Sequence, residues 1–312
     1  MGIAEVIPGV SGGTLAFITG IYEQLLDSIK AVDFGLIKKI FKGQFKAAWE
    51  QVNGKFLMFL LIGMFIGVVI GVFGVTYLLN KYPEVLWSLF FGCILASIPY
   101  MLSQISKIKL PAIVGFVIAA AVAGYICFLQ PVQASISPIY LLLAGSIAIS
   151  ALILPGVSGS FILVLLGLYT TVIPSIKGFL TTFDFKYFNI MFFFGLGCLI
   201  GLAAFSRILS YVFKRYTDTT LAVLSGFMLG SLVKVWPWRT PTRVLDESNG
   251  LFRAVKPEEL TREIFHHPTL KVVTERFDLP SAYFSDPYTL LCIIAGLAGI
   301  GGIYFLSRVQ KA

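Results

Sequence analysis

The chain has 312 residues, 57% hydrophobic and only 13% charged, with a formal net charge of +8. A soluble domain carries about 25% charged residues, so this composition excludes an ordinary soluble enzyme or binding module. The excess of Lys and Arg fits basic cytoplasmic loops of a membrane protein rather than a nucleic-acid surface, because the apolar residues come in long blocks.

In chain order, the first element is Pro8 to Lys30, PGVSGGTLAFITGIYEQLLDSIK; only seven residues precede Pro8, so either the arm before it is very short or the natural start lies upstream. A polar stretch follows over 33–53, in which Leu36, Ile37, Ile40, Phe41 and Phe45 stand among lysines. That pattern predicts an amphipathic helix lying on the membrane surface. Apolar blocks run from Phe56 to Leu79, Val85 to Leu102, Ala112 to Leu129 and Ile139 to Leu154. Pro155 to Lys177 then reads PGVSGSFILVLLGLYTTVIPSIK, and further apolar blocks run from Ile190 to Phe213, Leu221 to Val235 and Tyr288 to Leu306. A span needs about 20 apolar residues, which several blocks supply; the blocks flanking Pro155 are too short. The stretch over 237–286 is polar, and its His266 and His267 read as solvated. Cys93, Cys127, Cys198 and Cys292 lie in apolar blocks without metal-like spacing, so packing is their expected role and neither metal nor cofactor is expected.

The two PGVSG segments are copies of one unit. At an offset of 147, ten of 23 positions are identical, including Gly20/Gly167, Tyr22/Tyr169 and Ser28/Ser175. At an offset of 134, Gly63, Ile66, Gly67, Tyr77, Tyr82, Gly92, Leu95 and Ser97 match Gly197, Ile200, Gly201, Tyr211, Tyr216, Gly226, Leu229 and Ser231, and Glu84 matches Asp218. The repeats are read as 1–133 and 134–312. If each motif turns a re-entrant hairpin, twelve basic residues of the short connections fall on one side and three on the other; if each motif interrupts a crossing helix, the split is ten to five. The stronger asymmetry selects the hairpin. The expected fold class is therefore an all-α integral membrane protein of two inverted repeats. Each repeat is a re-entrant hairpin with a PGVSG loop plus three transmembrane helices. Both termini are cytoplasmic, and 237–286 is an extracytoplasmic loop.

Proline and glycine break a helix, and at membrane depth the freed backbone groups are tolerated only inside protein or against a wet cavity. A packing kink is the simpler account of one such motif. Two copies in equivalent positions point instead to a binding site near the midplane. Each motif runs into a predicted helix whose first N–H groups and dipole suit an anion. The candidate substrate-binding residues are Gly9, Ser11, Gly12, Gly13 and Thr14 in the first copy and Gly156, Ser158, Gly159 and Ser160 in the second. Arg207 joins them as a cation inside an apolar block, with snorkelling to the surface as the alternative. Glu5 is a candidate proton-carrying group or an interfacial acid, while Glu23 and Asp27 read as interfacial.

GIAEVIPGVSGGTLAFITGIYE at 2–23 and LILPGVSGSFILVLLGLY at 152–169 resemble a bacterial membrane family long known as a domain of unknown function. Its members are described as polyprenyl-phosphate translocases of the PopT type, and the likeness covers nearly the whole chain. The resemblance implies a bacterial inner-membrane carrier, not an enzyme, that flips undecaprenyl phosphate from the outer to the inner leaflet for envelope-polymer recycling. Its partners would be a polyprenyl-phosphate lipid and the membrane. A small-anion channel or carrier is the alternative. A fainter similarity to undecaprenyl-pyrophosphate phosphatases makes a lipid-phosphate phosphatase a third reading. Gly159 follows Ser158 where that family's loop carries an arginine, and no apolar block holds a histidine.

Overall fold

The structure, a computed structural model, describes residues 1–2, 12–71, 74, 76–129, 132, 136–155, 157, 159–169, 171–172, 174–175, 179, 183–246, 248, 251–261, 264 and 269–309. From the first repeat come α1 (Gly12–Ile18), α2 (Tyr22–Lys30), α3 (Phe34–Phe41), α4 (Phe45–Gln51), α5 (Gly54–Ile70), α6 (Thr76–Lys81), α7 (Pro83–Leu102) and α8 (Leu110–Phe128). The second repeat supplies α9 (Pro138–Ile153), α10 (Gly159–Leu165), α11 (Phe185–Arg215), α12 (Thr217–Ser231) and α13 (Thr289–Val309). Local chemistry sets several starts. Pro83 and Pro138 occupy first turns, where a missing N–H costs nothing. Asp33 caps α3 through Leu36 N at 2.8 Å, and Asp184 caps α11 through Lys186 N at 2.9 Å.

Among the described residues, α7, α8, α11 and α12 with its 3-10 extension Leu232–Val235 are long and apolar enough to cross a bilayer. The pair α4 and α5, bent by 69°, makes a fifth if counted as one span. With 16 residues, α9 is about 24 Å long, short of the ~30 Å hydrocarbon core. Large apolar side chains such as Phe65, Leu199 and Phe305 remain exposed on α5, α11 and α13. In water such a surface would be costly; against lipid chains it is the expected exterior.

The segment over 33–53 forms two helices rather than one. Gly43, at φ 70, turns the corner between them. Leu36 is buried, while Ile37, Ile40, Phe41, Phe45 and Trp49 are exposed. Lys39 Nζ donates to Gln51 Oε1 at 2.7 Å, and Gln51 Nε2 donates to Ala31 O and Asp33 Oδ1, which folds the pair back on itself.

Helix packing is exchanged between the repeats. α7 of the first packs along α13 of the second, and α12 of the second packs along α8 of the first. Both crossings use the glycine that the repeat shares. A Cβ at Gly92 would lie 2.1 Å from Gly296 O, and one at Gly226 would lie 2.3 Å from Phe116 O. The acid at the start of each equivalent helix also reaches across. Glu84 Oε1 accepts from Tyr283 Oη at 2.9 Å, in the α12–α13 connection, and Asp218 accepts from Ser106 N and Lys107 N at 2.9 and 3.2 Å, in the α7–α8 connection. Among the described residues, the largest buried cluster joins Ala16, Phe17, Tyr22 and Leu26 to Trp87, Ile98, Ile153, Phe213, Leu224 and Met228.

The polar stretch over 237–286 departs from the expected plain loop. Its described residues form a three-stranded antiparallel sheet, order β2-β1-β3, from β1 (Arg239–Asp246), β2 (Leu251–Ala254) and β3 (Leu270–Phe277). β1 is central although it contains Pro241, because the β1–β3 register shifts between Pro241 and Arg243. That irregularity is where a residue without an N–H is tolerated. Val244, Ile264 and Leu270 form the small core under the sheet.

Candidate functional site

Ile153 ends α9, and Gly159 opens α10 after the second motif. The two helices form a closed hairpin. Tyr140 Oη, near the start of α9, donates to Leu166 O just past α10 at 2.8 Å, and Val132 N donates to Leu165 O at 2.9 Å. At the tip, a Cβ on Gly159 would stand 2.7 Å from Ala148 O, so only glycine permits this approach of α10 to α9. Val157, Ile162 and Leu165 are buried there with Ala151, against Ile126 of α8 and Phe227 of α12.

In the first copy, Gly12 and Gly13 are buried at the start of α1. α1 packs on α9 and α7. Tyr22 ties the first copy to the chain that enters the second: its hydroxyl donates to Ile153 O at 3.0 Å, two residues before Pro155. Its ring meets Phe17 edge-on at 5.0 Å. The first-copy segment that follows its motif thus rests on the chain that enters the second motif. Glu5, Gly9, Ser11, Gly156 and Ser158 lie outside the described residues, as do His266 and His267. Each motif helix has seven residues, so its dipole sums over few peptide units.

Arg207 is not among the residues gathered at the hairpin tips. Its guanidinium donates to Ala203 O at 2.7 Å on its own helix and to Val32 O at 3.4 Å, in an exposed position. One and two turns further along α11, Ser210 and Lys214 both contact Asp27 of α2, with Lys214 Nζ 2.7 Å from Asp27 Oδ2. This is the end of the bundle that carries α3 and α4.

At the opposite end lies a cluster that the sequence reading did not single out. Lys234, in the 3-10 turn after α12, places Nζ 4.7 Å from the centroid of the Phe161 ring, on α10. The same Nζ donates to Glu275 Oε2 at 3.1 Å. Arg239 Nη1 meets that oxygen at 3.0 Å, and its guanidinium stacks 4.2 Å above the Trp87 ring. Burial pushes the Glu275 carboxyl up, but Arg239 and Lys234 outweigh burial and hold it below the ordinary range. Beside it Thr240 Oγ1 donates to Asp278 Oδ2, Arg276 Nε donates to Asp278 Oδ1 at 2.7 Å, and Trp236 Nε1 donates to Asp278 O at 2.9 Å. One signal was available beforehand: Lys234 is a lone cation in the last turn of an apolar block, where its repeat equivalent is Tyr100.

Between α7 and α13, below the Tyr82–Tyr288 ring pair, an apolar groove of about 160 Å³ is lined by Leu78, Val85, Leu86, Leu89, Leu291 and Ala295. It lies at a seam between the two repeats. The four cysteines are free thiols, and no metal-binding group of His, Cys, Asp and Glu occurs among the described residues.

These features can be set beside known proteins. Residues 1–252 match the model of a family described as undecaprenyl phosphate translocase-like. A polyprenyl-phosphate transporter of Vibrio cholerae serotype O1 is 44% identical over 240 residues, which covers 77% of this chain and 75% of the relative. A polyprenyl-phosphate transporter of Staphylococcus aureus is 32% identical over 264 residues, covering 78% and 86%. No solved structure matches. With a paired-motif bundle of apolar helices and a family match over most of its length, the chain belongs to the undecaprenyl phosphate translocase-like family.

Proposed function

We propose that the protein carries a polyprenyl phosphate, with undecaprenyl phosphate as the substrate, from the outer to the inner leaflet of the bacterial cytoplasmic membrane. The observation that carries this reading is the α9–α10 hairpin. It is too short to span, it turns at a PGVSG motif, and it is tied to the other copy of that motif through Tyr22 and Ile153. Relatives named as polyprenyl-phosphate transporters supply the chemistry. The phosphate would be held by the paired loops, through Gly9, Ser11, Gly12, Gly13 and Thr14 on one side and Gly156, Ser158, Gly159 and Ser160 on the other. The isoprenoid tail would stay in the bilayer, where the apolar groove between α7 and α13 offers a lateral seat. Arg207, at the exposed end of α11, would meet the head group as it leaves toward the cytoplasmic leaflet, and Glu5 is the group proposed to carry a coupled proton. No covalent chemistry is assigned to the protein.

The packing supports inverted repeats with cytoplasmic termini. The sheet, the start of α7, the end of α12 and the start of α13 share one end of the bundle. Lys30, Lys39, Lys107 and Lys214 belong to the other, which the basic-residue bias makes cytoplasmic. The test is leaflet-resolved accessibility of undecaprenyl phosphate in vesicles. Vesicles with the protein should lose outer-leaflet lipid phosphate faster than empty ones, without release of inorganic phosphate. Equal rates would sink the carrier reading, and phosphate release would replace it with a phosphatase.

A further inference from the structure

We propose that Lys234 is the cation that receives the lipid phosphate at the second motif, and that it does so by exchanging Glu275 for the phosphate. The inference rests on the carrier reading and names a residue that reading lacks.

Three observations carry it. First, Lys234 joins the outer sheet to the motif hairpin: its Nζ touches Glu275 of β3 and the ring of Phe161, which directly follows Ser160. Second, it is the more open of the two cations on Glu275, with 23% of its side chain exposed against 7% for Arg239, and the carboxylate itself is 8% exposed. A lysine is a compact charge with three donors on a flexible stem. Glu275 Oε2 is its one hydrogen-bond acceptor among the described residues, so donors remain for phosphate oxygens. Third, the pair can be opened without stranding a charge. Arg239 holds the same carboxylate oxygen at 3.0 Å and is itself fixed over Trp87, so Glu275 stays compensated when Lys234 turns away. A buried carboxylate with a single partner would oppose that motion strongly; with two partners, one is free to leave. The Phe161 ring keeps the ammonium beside the hairpin in the absence of an anion, by a weaker attraction that a phosphate displaces.

The experiment uses the full chain in lipid nanodiscs. The probe is farnesyl phosphate, a short polyprenyl phosphate, with farnesol as the uncharged control and inorganic phosphate as competitor. Wild-type protein should bind farnesyl phosphate, and inorganic phosphate in excess should not displace it. Lys234→Gln should weaken binding by about ten- to a hundredfold, the loss expected for a hydrogen bond to a charged group. Farnesol binding should be unchanged, and Lys234→Arg should retain most of the affinity. Glu275→Gln should tighten binding, because it removes the internal competitor. The opposite signs at the two ends of one ion pair distinguish this role from a structural one. Undiminished binding in Lys234→Gln overturns the assignment, and so does a loss of binding in Glu275→Gln comparable to that in Lys234→Gln. A wild type that does not bind farnesyl phosphate, or that yields it equally to inorganic phosphate, overturns the lipid-carrier reading itself.

Discussion

The hydroxyl of Tyr22 binds a carbonyl 131 residues away in sequence, at the end of α9 where helix carbonyls lack intrahelical partners. Tyr22→Phe keeps the ring, its edge contact with Phe17 and its volume, yet leaves Ile153 O buried without its donor. The expected cost is about 1–3 kcal/mol, measurable as a lower unfolding temperature in detergent with secondary structure intact. An unchanged melting temperature would mean that another group satisfies that carbonyl. Tyr22 was legible as half of the G-x-Y pair with Tyr169, because repetition marks it. Its partner was not legible, because nothing local in either segment encodes a contact at that separation. Lys234 was hidden for a similar reason. Its meaning comes from Glu275 and Phe161, which flank it from a later strand and an earlier helix. Arg207 shows the converse: a charge in an apolar block drew attention, and the fold gives it backbone carbonyls at the rim.

Helix pairs place sharp demands on glycine. Gly63 and Gly197 are equivalent in the repeat, but a Cβ at Gly197 would lie 2.1 Å from Leu142 O on α9, while one at Gly63 would meet nothing within 4 Å. Gly197→Leu should therefore separate α9 from α11 and prevent accumulation of folded protein, whereas Gly63→Leu should be accepted at near wild-type levels. Size-exclusion profiles of the two variants decide it. The helices were legible from the length and spacing of apolar blocks. Which helix packs on which was not, because α7, α8, α12 and α13 are apolar all round and no stripe names a partner. The sheet was not legible either, since Pro241 argues against a central strand until the register shift beside it is seen. Its link to the bundle should respond to acid. Glu275 is held below its usual 4.5, so the stability from its pairs is complete above that pH and is lost as pH falls through the lowered value. Three of the four tryptophans, Trp87, Trp236 and Trp238, lie at this site. Their emission should change in acid, and Glu275→Gln should abolish that change.

At the scale of the whole molecule, topology is the first quantity to measure. Single cysteines at Lys46 and Lys107 should react only from the cytoplasm and one at Leu251 only from outside; reaction of Lys46 and Leu251 from the same side would exclude the inverted arrangement. The charge bias was legible in sequence because it needs only a count of lysines and arginines between blocks. The exchange of helices was not, and it alters how the molecule can move. Since α7 packs along α13 and α8 along α12, any rigid-body motion of one sequence repeat past the other would have to break these glycine seams. The same interlocking bears on ancestry and assembly. A lone repeat would expose the glycine seams that its counterpart fills, as one half of a clasp. Under the proposed inverted arrangement, two copies of such a half would fill each other's seams, which is how an ancestral dimer would assemble. Fragments 1–133 and 134–312 expressed separately should then be degraded, and expressed together should reassemble into a complex that co-purifies, without any peptide bond between them.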